Sequence, residues 1–534
     1  MLRKKKLLLA LLILCLMVAF LMVGCDSEDS SALNEDETLS TDPLVIRLEG
    51  QDFGFPSPFA HYQRGRGTVM KYLFDSLLEI NEEGYIPWLA EEWVISEDGK
   101  EHLVTLRPEI KWQDGRDLTV ADVVFSFNYY QQYPPVFIGE EIMNREFLIS
   151  IEAVNDNQVK FVTAEPSGTF YMEAGVMRII PQHIWADVED PYNFTEPEAT
   201  MGCGPYILTD YSQEHNSYRY EAFEEYWGPM QAVDVLEMIP VSEAVLALEK
   251  GDIDLARIPP DTVSRFNESP EFTVVSSPAL AGYLLSFNFY RSDLFANPLF
   301  RQALAYAIDK DELIEKIARG AAKPGSPGIL PIDHQWYNPL VKDYSLDLEK
   351  AKAMLIEAGV TGSPTFELLV GEGIEVRIGE LLKEQLAKAG VTINIVSADT
   401  KSRDARVFEG NYELALLAMG SWGLDADWMR IRYSSLKGDA EAGGSASALL
   451  GADQGYANAE LDELFERQKR ETDQAVRKAL FFEIQVLLAL EVPEIPLYNN
   501  YYYYAYRPGV YDGWTFMFDH PVMEHAKLSF LEQE

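Results

Sequence analysis

Few residues of this chain could make or break a bond, and they are scattered. Ser434-Ser435-Leu436-Lys437 has Ser-x-x-Lys spacing, in which the lysine would take the serine proton. Two of its four letters are free and no companion motif follows, so the match carries little. No His-Glu-x-x-His, Gly-x-Ser-x-Gly or Gly-x-x-x-x-Gly-Lys sequence occurs, so the usual zinc, acyl-transfer and phosphate-loop chemistries lack their motifs. Gly371-Glu372-Gly373 lacks the third glycine of a dinucleotide loop. The histidines, His61, His102, His183, His215, His334, His520 and His525, have no ligand spacing. Neither a structural metal nor a cofactor is expected. Arg178, inside Met177-Arg178-Ile179-Ile180-Pro181, is an isolated charge in an apolar segment and needs a partner, an internal carboxylate being the commoner one.

The cysteines point to a compartment. Arg3, Lys4, Lys5 and Lys6 precede an apolar run over 7–23 that ends at Gly24-Cys25, the pattern of an export signal. Met22-Val23-Gly24-Cys25 resembles the bacterial lipobox, which implies cleavage after residue 24 and a lipid on Cys25. The alternative is an uncleaved anchor, for which a 17-residue run is short against the ~20 that span a bilayer. Residues 25–42 are acidic, serine-containing and free of aromatic side chains, so they read as a flexible tether. Cys15 leaves with the signal, and Cys203 is left without a disulfide partner, a small packed residue rather than a reactive thiol.

The net charge is −42 and becomes −46 when the four basic signal residues are lost. Such a surface repels nucleic acid and anionic lipid. A chain of this length exceeds what one core serves, so at least two lobes are expected.

Around those residues the elements are legible. Trp93 to Leu106 reads as a hairpin about Ser96-Glu97-Asp98-Gly99, and 154–162 as a strand pair about Asn155-Asp156-Asn157. Thr119 with Asp122 makes a capping box ahead of Val123, Val124 and Phe127. Asn297-Pro298 caps a helix, and 348–358 is a helix ended by Gly359. Strand 366–370, a helix through Ile378 to Ala389 and strand 391–395 form a βαβ unit with parallel strands. A helix or helix pair covers 460–490, with Val476, Leu480, Ile484 and Leu487 expected on its apolar side. The tyrosine-rich run 498–506 is a strand.

A collinear set of short motifs then appears: Leu73-Phe74-Asp75-Ser76-Leu77-Leu78, Gly84-Tyr85-Ile86-Pro87-Trp88-Leu89-Ala90-Glu91-Glu92-Trp93, Lys111-Trp112-Gln113-Asp114-Gly115, Gly202-Cys203-Gly204-Pro205-Tyr206, Gly251-Asp252-Ile253-Asp254 and Arg301-Gln302-Ala303-Leu304-Ala305-Tyr306-Ala307-Ile308-Asp309. From about residue 45 to the end, this order resembles the dipeptide-, oligopeptide- and nickel-binding family, family 5, of extracytoplasmic solute-binding proteins of ABC importers. The resemblance implies an α/β fold of the periplasmic-binding-protein type. Two lobes are joined by a two-strand hinge, and lobe I is enlarged by an inserted subdomain at about 88–195. Lobe I is expected over 43–283 and lobe II over 284–497, with 498–534 returning to lobe I.

It further implies a binding protein and no enzyme. The protein, a monomer, would be lipid-anchored outside the cytoplasm, capture a small ligand between the lobes and deliver it to an ABC permease and its ATPase. Trp422-Gly423-Leu424-Asp425 fits the family's Trp-x-x-Asp, whose aspartate pairs with a peptide α-amino group. Asp425 and Trp422 are therefore substrate-binding candidates, and Asp425→Ala is expected to weaken peptide binding at least tenfold with little effect on the apo melting temperature. Arg178 is the candidate for a ligand carboxylate, with Phe53, Phe55 and Tyr283 lining the cleft. A nickel or other metal chelate, or an oligosaccharide, are alternative ligands of the same mechanism. A secreted hydrolase is the distant alternative, resting on Ser434 alone.

Overall fold

The computed structural model describes residues 42–61, 69–82, 84–136, 140–420, 422–436, 455–517, 524–525 and 527–532. The signal segment, Cys25 and tether residues 25–41 lie outside them. Residues from Leu44 onward form one compact unit, and among the described residues no helix is long and apolar enough to cross a membrane.

Two mixed sheets carry the fold. The first has seven strands in the order Thr273–Ser276, Tyr503–Tyr506, Leu255–Ile258, Val45–Glu49, Val235–Ile239, Ser217–Ala222 and Tyr206–Ser212. Val45–Glu49 runs parallel to both of its neighbours. The second has six, in the order Ala322–Pro324, Glu494–Asn500, Ala281–Phe287, Leu414–Met419, Thr365–Val370 and Thr392–Ser397. Thr365–Val370 is parallel to Thr392–Ser397, and helix Ile374–Ala389 makes the crossover expected of βαβ, stopping at Gly390 with φ 95°. Leu414–Met419 is apolar throughout because both of its faces are covered, and its first four residues are buried.

The chain passes from the first sheet to the second through 277–280 and back through Tyr501 and Tyr502. The boundaries that the resemblance implies, at 283/284 and 497/498, fall inside strands of the second sheet. Backbone pairing there begins at Ala281 and lasts to Asn500.

A third sheet, of four antiparallel strands, is inserted in lobe I: Ala90–Ile95, Glu101–Leu106, Gln158–Thr163 and Leu148–Ala153. Gly99, with φ 72°, closes the hairpin turn onto the Ser96 carbonyl at 2.9 Å. Helix Val120–Gln132 starts with the Thr119–Asp122 capping box and buries Val123, Phe127 and Tyr130 against this sheet's core. Lobe II has a core beneath its sheet and a second one gathered by helices Ala459–Arg470 and Gln474–Glu491.

The last of these helices differs from expectation. Its buried residues are Arg477, Leu480, Phe481, Ile484, Gln485, Leu488 and Ala489, while Val476 is 47% exposed. Apolar residues occur nearly all round this helix, so periodicity alone leaves the stripe ambiguous. Two polar residues, Arg477 and Gln485, turn inward because hydrogen-bond partners await them.

The end of the chain is strapped onto lobe I by charge. Lys527 is buried, with its Nζ 2.5 Å from Asp75 Oδ1 and also paired to Glu79. Asp75 accepts from Trp227 Nε1 at 2.9 Å and from the Tyr226 hydroxyl at 3.1 Å. Burial disfavours the charge on Lys527, but the two carboxylates outweigh it and raise its pKa. Removing one partner of a buried ion pair costs roughly 3–5 kcal/mol, because the other is left unpaired. Lys527→Met should therefore lower unfolding free energy by about that much; chemical denaturation measures it, and a loss below 1 kcal/mol would show that the strap is dispensable.

His102 is also buried. Its Nδ1 accepts from Trp93 Nε1 at 3.2 Å and its ring meets Phe170 edge-on at 4.8 Å. Burial lowers its pKa to about 4, from 6.5. With the folded value depressed, the unfolded chain takes up the proton first. The stabilisation is thus whole above pH 6.5 and is lost as pH falls toward 4. Between those values His102→Phe should make stability less pH-dependent than the parent by up to ~1.4 kcal/mol per pH unit. Parallel pH–stability profiles for the two proteins would refute the assignment.

Candidate functional site

Strand Leu414–Met419 leaves the second sheet and delivers a loop that runs to helix Trp428–Tyr433. Trp422 is 5% exposed and seats the loop among Trp336, Met429, Phe465 and Phe481. Gly423 turns the chain with φ 75°. Its carbonyl lies 3.0 Å from Nε2 of His334, while Nδ1 of the same ring accepts the Trp336 N–H at 3.1 Å. The acceptor role of Nδ1 places the ring proton on Nε2, aimed at Gly423. Burial keeps this imidazole neutral, with its pKa lowered to about 4. Gln335 Nε2 adds a bond to the Leu424 carbonyl at 2.5 Å.

The loop so fixed holds Asp425, whose side chain is 12% exposed. It does not stand alone. Arg477, with no exposed side-chain surface, grips it through both terminal nitrogens, Nη2 to Oδ1 at 2.8 Å and Nη1 to Oδ2. The same carboxylate accepts the Asp427 N–H at 2.8 Å. Arg477 Nε donates to Gln468 Oε1 at 3.1 Å, and Gln468 Nε2 donates to Asp427 Oδ1 at 2.5 Å. Asp427 in turn pairs with Arg430 at 3.0 Å. Two carboxylates and two guanidinium groups thus close a neutral, fully hydrogen-bonded network, the condition under which buried charge is tolerated.

Lobe I meets the network from its inserted subdomain. The Gly168 N–H donates to the Lys469 carbonyl at 2.7 Å, and Arg470 pairs with Glu165 at 2.9 Å. Tyr171, packed edge-on to Tyr85 and Trp93, has its hydroxyl pKa raised by burial and then by the Asp425 charge, with Arg477 opposing. The Asp425 loop therefore lies at a junction of the lobes. The arrangement presents an anchored carboxylate and an aromatic hydroxyl. Ser434 of the Ser-x-x-Lys match is buried, with its Oγ on Asp462 at 3.2 Å, and Lys437 is outside the described residues. No group of three or more His, Cys, Asp or Glu suited to a metal ion occurs among the described residues.

The other candidates lie elsewhere. Arg178 points Nη1 to the Phe74 carbonyl and Ser76 Oγ, both at 3.3 Å, and shares the field of Glu79 and Lys527. Phe53 donates its N–H to the Tyr218 hydroxyl at 2.8 Å, and Phe55 stands edge-on to Tyr211 at 5.9 Å, so both belong to one wall of lobe I. Tyr283 is half-buried on strand Ala281–Phe287, 5.6 Å from the Tyr498 ring. Burial, helped by Tyr502 and Glu375, pushes its pKa up to about 12. Among the described residues no hydrogen bond, ion pair or ring contact joins these groups to Asp425. Cys203 is fully buried, and burial raises its thiol pKa well above the ordinary range.

One expectation has to change. Asp425→Ala would leave the Arg477 guanidinium buried without its carboxylate, so it lowers stability as well as touching any ligand contact. Arg477, Gln468, Gly168 and Tyr171 were absent from the sequence-based candidates. For Arg477 a signal was present: it stands in helical register with Phe481, Ile484 and Leu488 on a buried stripe, where an arginine demands a partner.

Residues 84–441 match the model of the bacterial extracellular solute-binding proteins, family 5. The dipeptide-binding protein of Escherichia coli (strain K12) is 30% identical over 405 residues, covering 70% of this chain and 75% of that protein. The nickel-binding periplasmic protein of the same organism is 24% identical over 506 residues, covering 90% and 92%. The solved structure of DppA from Helicobacter pylori in complex with the peptide STSA superposes with a TM-score of 0.68 at 22% identity, covering 87% of this chain and 93% of that one. The architecture of two lobes agrees with these matches, and the chain belongs to the bacterial extracellular solute-binding proteins of family 5, binding proteins rather than enzymes.

Proposed function

We propose that this protein captures a di- or oligopeptide between its lobes and hands it to an ABC permease driven by an ATPase. In the same reading it is a monomer held at the outer face of the membrane by a lipid on Cys25. The observation that carries the ligand assignment is the Asp425 carboxylate, partly open on its loop and immobilised by Arg477 at the lobe junction. A fixed carboxylate can accept from a peptide ammonium without reorganising, and a charge-assisted bond of this kind contributes roughly 1.5–3 kcal/mol. Trp422 would act by seating the loop. Phe53, Phe55 and Tyr283 would supply apolar and aromatic wall, and Arg178 would meet a ligand carboxylate only by releasing its present carbonyl and hydroxyl acceptors.

A second reading, capture of a nickel or other metal chelate, is favoured by the nickel-binding relative that aligns over 90% of this chain. Native mass spectrometry of the purified protein separates the two by the mass of what is retained.

The amine contact has its own test. Because Asp425 also anchors Arg477, affinity loss in a variant alone is ambiguous, and the ligand must be altered as well. Dialanine and N-acetyl-dialanine should differ in affinity at least tenfold on the parent protein, and about equally little on Asp425→Asn, by calorimetric titration. Undiminished discrimination in the variant would remove Asp425 as the amine's partner.

A further inference from the structure

We infer that Gly168 of lobe I and Arg477 of lobe II form the contact through which lobe closure and the Asp425 loop act on each other. Gly168 lies between strand Gln158–Thr163 and helix Phe170–Gly175. A Cβ built on it would sit 2.2 Å from the Glu471 carbonyl oxygen and 2.9 Å from both Cδ and Nε of Arg477. All three atoms belong to lobe II. The backbone of Gly168 is outside the left-handed region, so its conformation does not bar alanine. Its missing side chain is demanded by the opposite lobe. Gly202 and Gly204 differ, since a Cβ on either would strike Leu73 and its neighbours within lobe I.

The atoms beneath Gly168 are the near end of a rigid plane. Arg477 Nε is bonded to Gln468, and its far end clasps Asp425. A guanidinium is planar, and one edge cannot shift without the other. Movement of the Asp425 loop therefore tilts the floor on which lobe I rests, and the docking of Gly168 holds Arg477 where it can grip Asp425. Arg477 is in this sense a positioning residue. Around it the Gly168 N–H bond to Lys469 and the Glu165–Arg470 pair complete the same contact. That Asp425 belongs to the ligand site rests on the preceding proposal; the mechanical link does not.

Disulfide trapping tests the link without a ligand. Pro166 Cβ lies 2.7 Å and Thr472 Cγ2 3.2 Å from the point a Gly99 Cβ would occupy, so the two side chains are neighbours across the lobes, and cysteines in their places would pair only when the lobes meet. In Pro166→Cys/Thr472→Cys protein carrying Cys15→Ser and Cys25→Ser, the buried Cys203 is silent, and the oxidation rate reports how often the lobes close. Gly168→Ala should slow this rate at least tenfold while the melting temperature of the reduced protein moves by no more than a few degrees. Asp425→Asn, which alters neither new cysteine nor Gly168, should slow it at least threefold by loosening Arg477. An unchanged rate in Gly168→Ala overturns the contact. A parental rate in Asp425→Asn beside a slow Gly168→Ala overturns the coupling. Neither result depends on which solute the protein binds, so either is distinguishable from failure of the peptide reading.

Discussion

A guanidinium taken wholly out of water has to be met by a carboxylate, and at Arg477 that requirement organises the junction of the lobes. The chain carries 86 acidic and 44 basic residues, so acceptors are plentiful and buried cations are the scarce partners. Each of several buried cations draws in a segment distant in sequence. Lys527 reaches Asp75 across 452 positions, Arg432 reaches Glu494 across 62, and Arg477 reaches Asp425 across 52. Such pairs add little net stability over a well-packed apolar replacement, but breaking one is costly. Their effect is to specify which segments meet.

The parts of this architecture legible in the sequence are those written in local chemistry. The Thr119–Asp122 box, the Asn297-Pro298 start, the Ser96–Gly99 turn and the βαβ unit each declare themselves within a few residues, and each is present in the structure. What was not legible depends on pairing across long separations. The face of helix Gln474–Glu491 could not be chosen by apolar periodicity, because apolar residues lie nearly all round it and Arg477, in register with Phe481, Ile484 and Leu488, is buried only by virtue of a partner 52 positions away. Gly168 gave no signal, since its reason for being glycine lies in the other lobe. Asp425 was visible only through the family's Trp-x-x-Asp spacing, and that spacing says nothing of the arginine that holds it.

The pairing bears on how a ligand would be recognised. A lone carboxylate at the lobe junction would attract any cation, including ions from the medium. With Arg477 attached, the local charge is balanced by two aspartates against two arginines, and a ligand must offer directed hydrogen bonds to gain anything. Preorganised acceptors of this kind favour geometry over net charge. The proposed amine contact would then discriminate a correctly presented ammonium from a mere positive charge, which suits a protein whose surface is otherwise strongly anionic.

Hinge and contact divide the work of closure between them. Only 277–280 and Tyr501-Tyr502 connect the two sheets, and Arg257 of lobe I stacks on the Tyr502 ring at 3.8 Å. A crossing this narrow can bend while each sheet stays rigid, so the hinge permits closure without selecting an end point. Selection must come from surfaces that fit only when shut. A glycine with no room for one carbon, resting on a guanidinium held at its other edge by the loop of Asp425, is such a surface. The precision of closure then resides outside the hinge strands, where Gly168 of lobe I and the Asp425 loop both meet the side chain of Arg477.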